Sequence, residues 1–195
     1  MIPRHFQITI ALLLLAILIS GLVIIRLTRK EEAMLQGTEG GLAAPMVGGK
    51  QEQIQVLVAY DDEQTLRWRQ ADVFMPVDRG LRAREALRAV LAQYLQNPSP
   101  HPMAKGAGIR DVYLIGDDTM IVDTTPQFAD GHPSGILLEE LTLASLIETL
   151  SANVPGVAKV KFLVNGKERE TLAGHADLMS FYQTAAVHEL AKEFE

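Results

Sequence analysis

The stretch from Leu146 to Leu178, LIETLSANVPGVAKVKFLVNGKERETLAGHADL, constrains the fold more than any other part of the chain. It begins as the end of an apolar helix, and Pro155-Gly156 stops that helix because proline cannot continue it and glycine tolerates the exit geometry. Residues 157–164 alternate in polarity, which predicts a strand with one buried face. Asn165-Gly166 is a strong signal for a tight turn after that strand.

The same stretch predicts the centre of the hydrophobic core. The apolar stripe of the helix should lie against the buried face of the strand that follows it. We expect this contact to be formed by Leu146, Ile147, Leu150, Val160, Phe162 and Val164.

The N-terminus carries a second strong pattern. Residues 8–25, ITIALLLLAILISGLVII, contain no charge, and as a helix they would span roughly 27 Å, close to the ~30 Å apolar core of a bilayer. We interpret residues 1–30 as an uncleaved membrane anchor with one transmembrane helix. A cleaved signal peptide and a buried soluble helix are the alternatives, but the run is long for a signal peptide and lacks a small-x-small cleavage site.

A change in composition separates this anchor from the rest of the chain. Residues 31–52 include GTEGGLAAPMVGG, which is too poor in large apolar side chains to offset its ordering entropy. We therefore predict a flexible, glycine-rich linker and a folded domain that spans residues 53–178. The remaining residues, 179–195, have helical spacing and predict a C-terminal helical extension whose inward side carries Phe181, Ala185, His188 and Leu190 or Ala191.

Between the linker and the extension, strands and helices are mixed. The order β-β-α-β-β-α-β predicts an α+β fold, in which one small mixed sheet has two helices packed on one face. The predicted strands are 54–60, 66–77, 109–115, 120–125 and 157–164, and the helices are 81–96 and 136–151, the second with Ser134 as its N-cap; residues 124–135 are predicted as a polar loop.

Two segments resemble one known family. The phrase ETL…VPGVAKVKFLVNGK…GHADL and the segment Val122-Asp123-Thr124-Thr125-Pro126-Gln127-Phe128 are similar to the GerMN domain, which occurs in bacterial sporulation, germination and cell-envelope lipoproteins. The resemblance covers about residues 54–178. It implies a non-enzymatic module without cofactors that binds a cell-envelope or sporulation partner. Because GerMN domains resemble ring-building motifs of secretion-type assemblies, it also implies self-association or assembly with such domains.

The orientation of the anchor rests on this resemblance. Lys and Arg are more frequent after the apolar run (Arg26, Arg29, Lys30) than before it (Arg4), which by itself favours a cytoplasmic C-terminal domain. A short N-terminal segment with one arginine is, however, typical of a signal anchor, and GerMN domains lie outside the cytoplasmic membrane. We therefore expect a single-pass protein of the bacterial cytoplasmic membrane with an extracytoplasmic C-terminal domain.

Catalytic and metal-binding patterns are weak. The chain has no cysteine, and His188-Glu189 lacks the second histidine of a zinc-protease motif, since Lys192 occupies that position. The alternative function is a cell-wall hydrolase that would use His101, Asp130 and His132, provided that their loops meet in one cleft. A net charge of −6 argues against nucleic acid as a partner.

The first predicted helix carries the one unusual cluster of charge. Six arginines lie between residues 66 and 88, and three of them, Arg82, Arg84 and Arg88, form a candidate interaction patch for a protein or an anionic cell-wall polymer. The alternative is a solvated helix face with no binding role.

Overall fold

The computed structural model describes residues 49–195, and within them it confirms the α+β class. The strands are β1 (Lys50–Tyr60), β2 (Thr65–Met75), β3 (Ile109–Ile115), β4 (Thr119–Thr124), β5 (Lys159–Val164) and β6 (Tyr182–Gln183). The helices are α1 (Arg79–Tyr94), α2 (Pro126–Asp130), α3 (Ile136–Asn153) and α4 (Thr184–Ala191), followed by a 3-10 turn at Lys192–Phe194. The predicted anchor at residues 8–25 and most of the linker lie outside the described residues. Within residues 49–195, no helix is long and apolar enough to cross a membrane.

The prediction of a single sheet is wrong, because the strands form two sheets. β1 and β2 pair only with each other, as a long antiparallel hairpin. The other sheet has the order β3-β4-β5-β6, with β4 and β5 parallel and the outer pairs antiparallel. Helices α1 and α3 pack against the hairpin and against each other.

Side chains of the helices explain why no strand joins β1 at its second edge. The backbone N–H of Leu57 donates to Thr149 Oγ1 at 2.9 Å, and that of Ala59 donates to Tyr94 Oη at 2.9 Å. Asn153 Nδ2 donates to the carbonyl oxygen of Gln55 at 2.6 Å. Alternate residues of an antiparallel strand direct their backbone groups away from the partner strand. These three side chains therefore occupy the hydrogen-bonding positions that a further strand would need. Their contacts with β1 also explain why these polar groups are buried in largely apolar helices.

The predicted burial of the core residues is confirmed. The six expected residues are all buried in one hydrophobic cluster, and Phe162 has no exposed surface. The Asn165-Gly166 turn has positive φ at both residues, 54° and 72°, as a type I′ turn requires. Lys161, on the other face of β5, is also buried, so this strand is covered more fully than alternation predicts.

Several boundaries differ from the predictions. The hairpin begins at Lys50, before the expected start of the domain at residue 53. The predicted loop at 124–135 contains helix α2, and α3 is capped by Gly135 rather than by the side chain of Ser134. The C-terminal extension is helical from Thr184 and buries Val187 and Ala191. Of the predicted positions, Ala191 is buried, whereas Phe181, Ala185, His188 and Leu190 are exposed.

Candidate functional site

An open groove lies between α3 and the C-terminal segment of the chain. Its volume is about 470 Å³. One face of α3 forms one wall, the loop at residues 175–183 forms the end, and α4 forms the other wall. The lining residues are Glu140, Leu143, Ala144, Ile147, His175, Ala176, Asp177, Phe181, Tyr182, Gln183, Ala186, Val187 and Leu190.

The groove presents apolar surface to solvent. Phe181 is 46% exposed and Leu190 is 38% exposed, whereas Leu143 and Ile147 are buried beneath them. Large apolar side chains clustered at an open concave site are typical of binding surfaces, since isolated exposed apolar residues are common but grouped ones are not. This geometry can hold an apolar side chain of a ligand.

Glu139 fixes the end of the groove. Its side chain has no exposed surface, and its Oε2 accepts hydrogen bonds from the backbone N–H groups of Ala173, His175 and Ala176 at 2.9–3.0 Å. Its Oε1 accepts a hydrogen bond from His175 Nδ1 at 2.8 Å. Burial by itself would raise the pKa of Glu139, but these hydrogen bonds outweigh it and lower the pKa to about 2. The charged carboxylate therefore holds the loop against α3.

Tyr182 connects the groove to the core. It pairs with Val160 at the edge of the four-stranded sheet, and its ring meets Phe162 edge-on at a centroid distance of 6.3 Å. Its hydroxyl donates to the carbonyl oxygen of Asp177. Burial, followed by the negative charges of Asp177, Glu140 and Glu139, raises the pKa of Tyr182 to about 12. The lining of the groove is therefore apolar and also carries negative charge.

The predicted arginine patch is largely engaged within the domain. Arg82 donates to Glu52 at 2.6 Å and to the carbonyl oxygen of Asn153 at 2.9 Å, so it ties the end of α3 to the hairpin. Arg84 lies 3.4 Å from Glu85, and Arg88 lies 3.1 Å from the same carboxylate. The side chains of Arg82, Arg84 and Arg88 are 24%, 15% and 38% exposed. A role for them in binding stays a prediction, but Arg82 also has a structural role.

The residues of the hydrolase hypothesis do not form one open cleft. His101 and His132 do meet, since both Nε2 atoms lie 2.7 Å from Thr142 Oγ1, but both rings are buried. The Nδ1 atom of His101 contacts Asp61, and that of His132 contacts the carbonyl oxygen of Pro133.

Asp130 does not contribute to this histidine cluster. It is exposed and pairs with Arg169. Every ring nitrogen of the two histidines thus has a protein partner, and within residues 49–195 no group of three or more acidic or histidine side chains could hold a metal ion.

The sequence analysis did not predict the groove that the GHADL segment, residues 174–178, closes. Asp177 accepts a hydrogen bond from the N–H of Met179 at 2.7 Å, which agrees with a local turn role. One feature of the sequence could have predicted a site here: the pair Glu139-Glu140 lies inside an apolar helix. A carboxylate in such a helix requires a buried partner or an open cavity.

The fold and the site define a mixed α+β domain with buried polar networks and an open apolar groove. The family model Germane, described as sporulation and spore germination, matches residues 57–170, which is more than half of the chain. The chain belongs to this family, and the predicted GerMN-type relationship is confirmed. The wall that α3 contributes lies inside the matched range, whereas residues 175–190 lie beyond it.

Three solved structures that this chain matches are from Clostridium perfringens and Bacillus subtilis. A lipoprotein from Clostridium perfringens is 19% identical, with 73% of this chain and 93% of that chain covered and a TM-score of 0.47. The tandem GerMN domains of the sporulation protein GerM from Bacillus subtilis are 17% identical over 67% of this chain, with a TM-score of 0.48. This chain spans 45% of that tandem structure. The first GerMN domain of GerM is 18% identical over 66% of this chain and 94% of that one, with a TM-score of 0.42. A search of curated protein sequences finds no match.

Proposed function

We propose that the chain is a membrane-tethered, non-enzymatic, extracytoplasmic module that docks a protein partner of the cell envelope in the groove between α3 and α4. The observation that carries the proposal is the exposure of Phe181 and Leu190 at the rim of a cavity whose floor is apolar. Burying these two side chains against a partner would recover roughly 25 cal/mol for each Å² of apolar surface removed from water. The sporulation and germination family supports an envelope setting.

Photo-crosslinking tests the docking surface in the intact protein. A photoreactive amino acid replaces Phe181 or Leu190 in the full chain, expressed in its native host. We expect a discrete crosslinked species from both positions, because both lie on the groove. Ile115 is the matched control, since it is 57% exposed at the end of β3 but does not line the groove.

The outcome also separates two kinds of partner. A crosslinked species with twice the mass of the chain would identify a second copy as the occupant, whereas any other discrete mass would identify a different protein. Equal, diffuse labelling from Phe181, Leu190 and Ile115 would contradict the docking proposal.

Tethering is tested separately by topology reporters. The uncharged run at residues 8–25 should hold the protein in the membrane with residues 53–195 outside the cytoplasm. A reporter that is active only after export, fused after Glu195, should therefore be active, and a reporter that is active only in the cytoplasm should be silent. The reverse pair of results would show that the charges at Arg26, Arg29 and Lys30 decide the orientation.

A further inference from the structure

We propose that the groove selects a basic, apolar segment of its protein partner, in which an apolar side chain enters the groove and a neighbouring Lys or Arg pairs with Glu140. This inference rests on the proposed docking function and adds the chemistry of the partner. It follows from the charges of the lining, the ion pairs of the domain, and the position of the aromatic rings.

The lining contains two carboxylates and no Lys or Arg. Glu140 and Asp177 lie on the walls, and the only other titratable nitrogen there is the His175 ring, whose Nδ1 already contacts Glu139. Lys161 is not part of the lining; it lies 5.4 Å from the Phe181 ring centroid and is paired with Glu168. Among the lining side chains, an anionic ligand would therefore meet two like charges, and a cationic one would meet two opposite charges.

Glu140 is the carboxylate that is available to a ligand. It is half-buried, and within residues 49–195 it forms no ion pair. The neighbouring carboxylate of Glu139, by contrast, is hydrogen-bonded to the loop at residues 173–176. Taking a carboxylate partly out of water without a partner is unfavourable, so a cation placed beside it recovers free energy. The α3 helix positions Glu140 on the same face as Leu143, Ala144 and Ile147, which puts the charge at the rim of the apolar floor.

Exposed aromatic surface favours the same ligand. A cation within about 6 Å of a Phe or Tyr ring face is attracted by the negative face of the ring. Tyr182 lines the groove, whereas the Phe181 ring already has Lys161 Nζ at 5.4 Å from its centroid. A ligand with an apolar group and a cation can therefore contact the apolar floor and also the charged rim, whereas a neutral apolar ligand gains only from the floor.

Three probes of similar size and different charge test the inference: phenethylammonium, 2-phenylethanol and phenylacetate. Each is titrated into the full chain in lipid nanodiscs, and binding is followed from the methyl resonances of Ile147 and Leu190. We expect the cation to bind about 5-fold more tightly than the alcohol, which corresponds to about 1 kcal/mol for one partly exposed charge pair, and the anion to bind most weakly. Added salt should reduce the difference.

Two variants identify the charge responsible. Glu140→Gln should lose most of the preference for the cation over the alcohol, while its affinity for the alcohol stays unchanged. Glu170→Gln, an exposed acid outside the groove, should preserve the 5-fold preference.

The possible failures are distinguishable. Binding of all three probes with equal affinity, or a cation preference that Glu140→Gln leaves unchanged, would overturn the charge inference and leave the docking proposal intact. Methyl resonances that no probe shifts would overturn both.

Discussion

Replacing Phe162 with alanine is expected to lower the free energy of unfolding by about 3–5 kcal/mol, the range for deleting a fully buried aromatic side chain. Phe162 has no exposed surface and lies in the middle of β5, where it pairs with Val122 of β4 and contacts the Tyr182 ring. The loss would be a large share of a typical stability of roughly 5–15 kcal/mol.

Urea unfolding of the full chain in a mild detergent measures this loss. The only tryptophan of the chain, Trp68, lies in β2, so its fluorescence reports on the folded domain alone. Phe181→Ala is the matched control because the same atoms are removed at a position that is 46% exposed, and it should cost less than ~1 kcal/mol. Equal losses from the two variants would mean that the core is not organised around β5.

Glu139→Ala is the second change with a large expected effect, about 2–4 kcal/mol. It removes a buried carboxylate and leaves three backbone N–H groups of the loop at residues 173–176 without their acceptor. Glu140→Gln, one residue further along α3, should cost less than ~1 kcal/mol because Glu140 forms no ion pair within residues 49–195. Similar losses at both positions would contradict the anchoring role of Glu139.

The pH dependence of Glu139→Gln gives an independent check. The pKa of Glu139 is about 2 in the folded protein and has an ordinary value of 4.5, so the folded state favours the charged form. Its contribution to stability is complete above pH 4.5 and is lost as the pH falls toward 2. The difference in unfolding free energy between the native chain and Glu139→Gln should therefore shrink across this window. A difference that stays constant would show that the carboxylate is not selectively stabilised in its charged form.

The sequence predicted the elements and the core because these depend on short-range patterns. The buried positions Val160, Phe162 and Val164 of β5 and the Asn165-Gly166 turn depend on local patterns, and both predictions were confirmed. The single sheet was wrong because polar residues on α1 and α3 occupy one edge of β1. Tyr94, Thr149 and Asn153 carry no local sign of that role, since their partners are 35, 92 and 98 residues away in the sequence.

The groove was not predictable for a related reason. It joins α3 to residues 175–190, and the link between them is a carboxylate buried by a loop that lies about 35 residues further along the chain. The binding role of the arginines stays a prediction, but helical spacing could not reveal that Arg82 contacts Glu52 and the carbonyl oxygen of Asn153.

The occupied edge of β1 has a consequence for polymerisation. A fibril built by adding strands to a hairpin needs two open edges on each copy, so that every molecule can accept a neighbour on both sides. In this hairpin, a strand could join only beside β2, since joining β1 would first require the loss of three side-chain hydrogen bonds. Any assembly made through the hairpin alone therefore terminates at two molecules, and the exposed length of β2 poses no risk of open-ended growth.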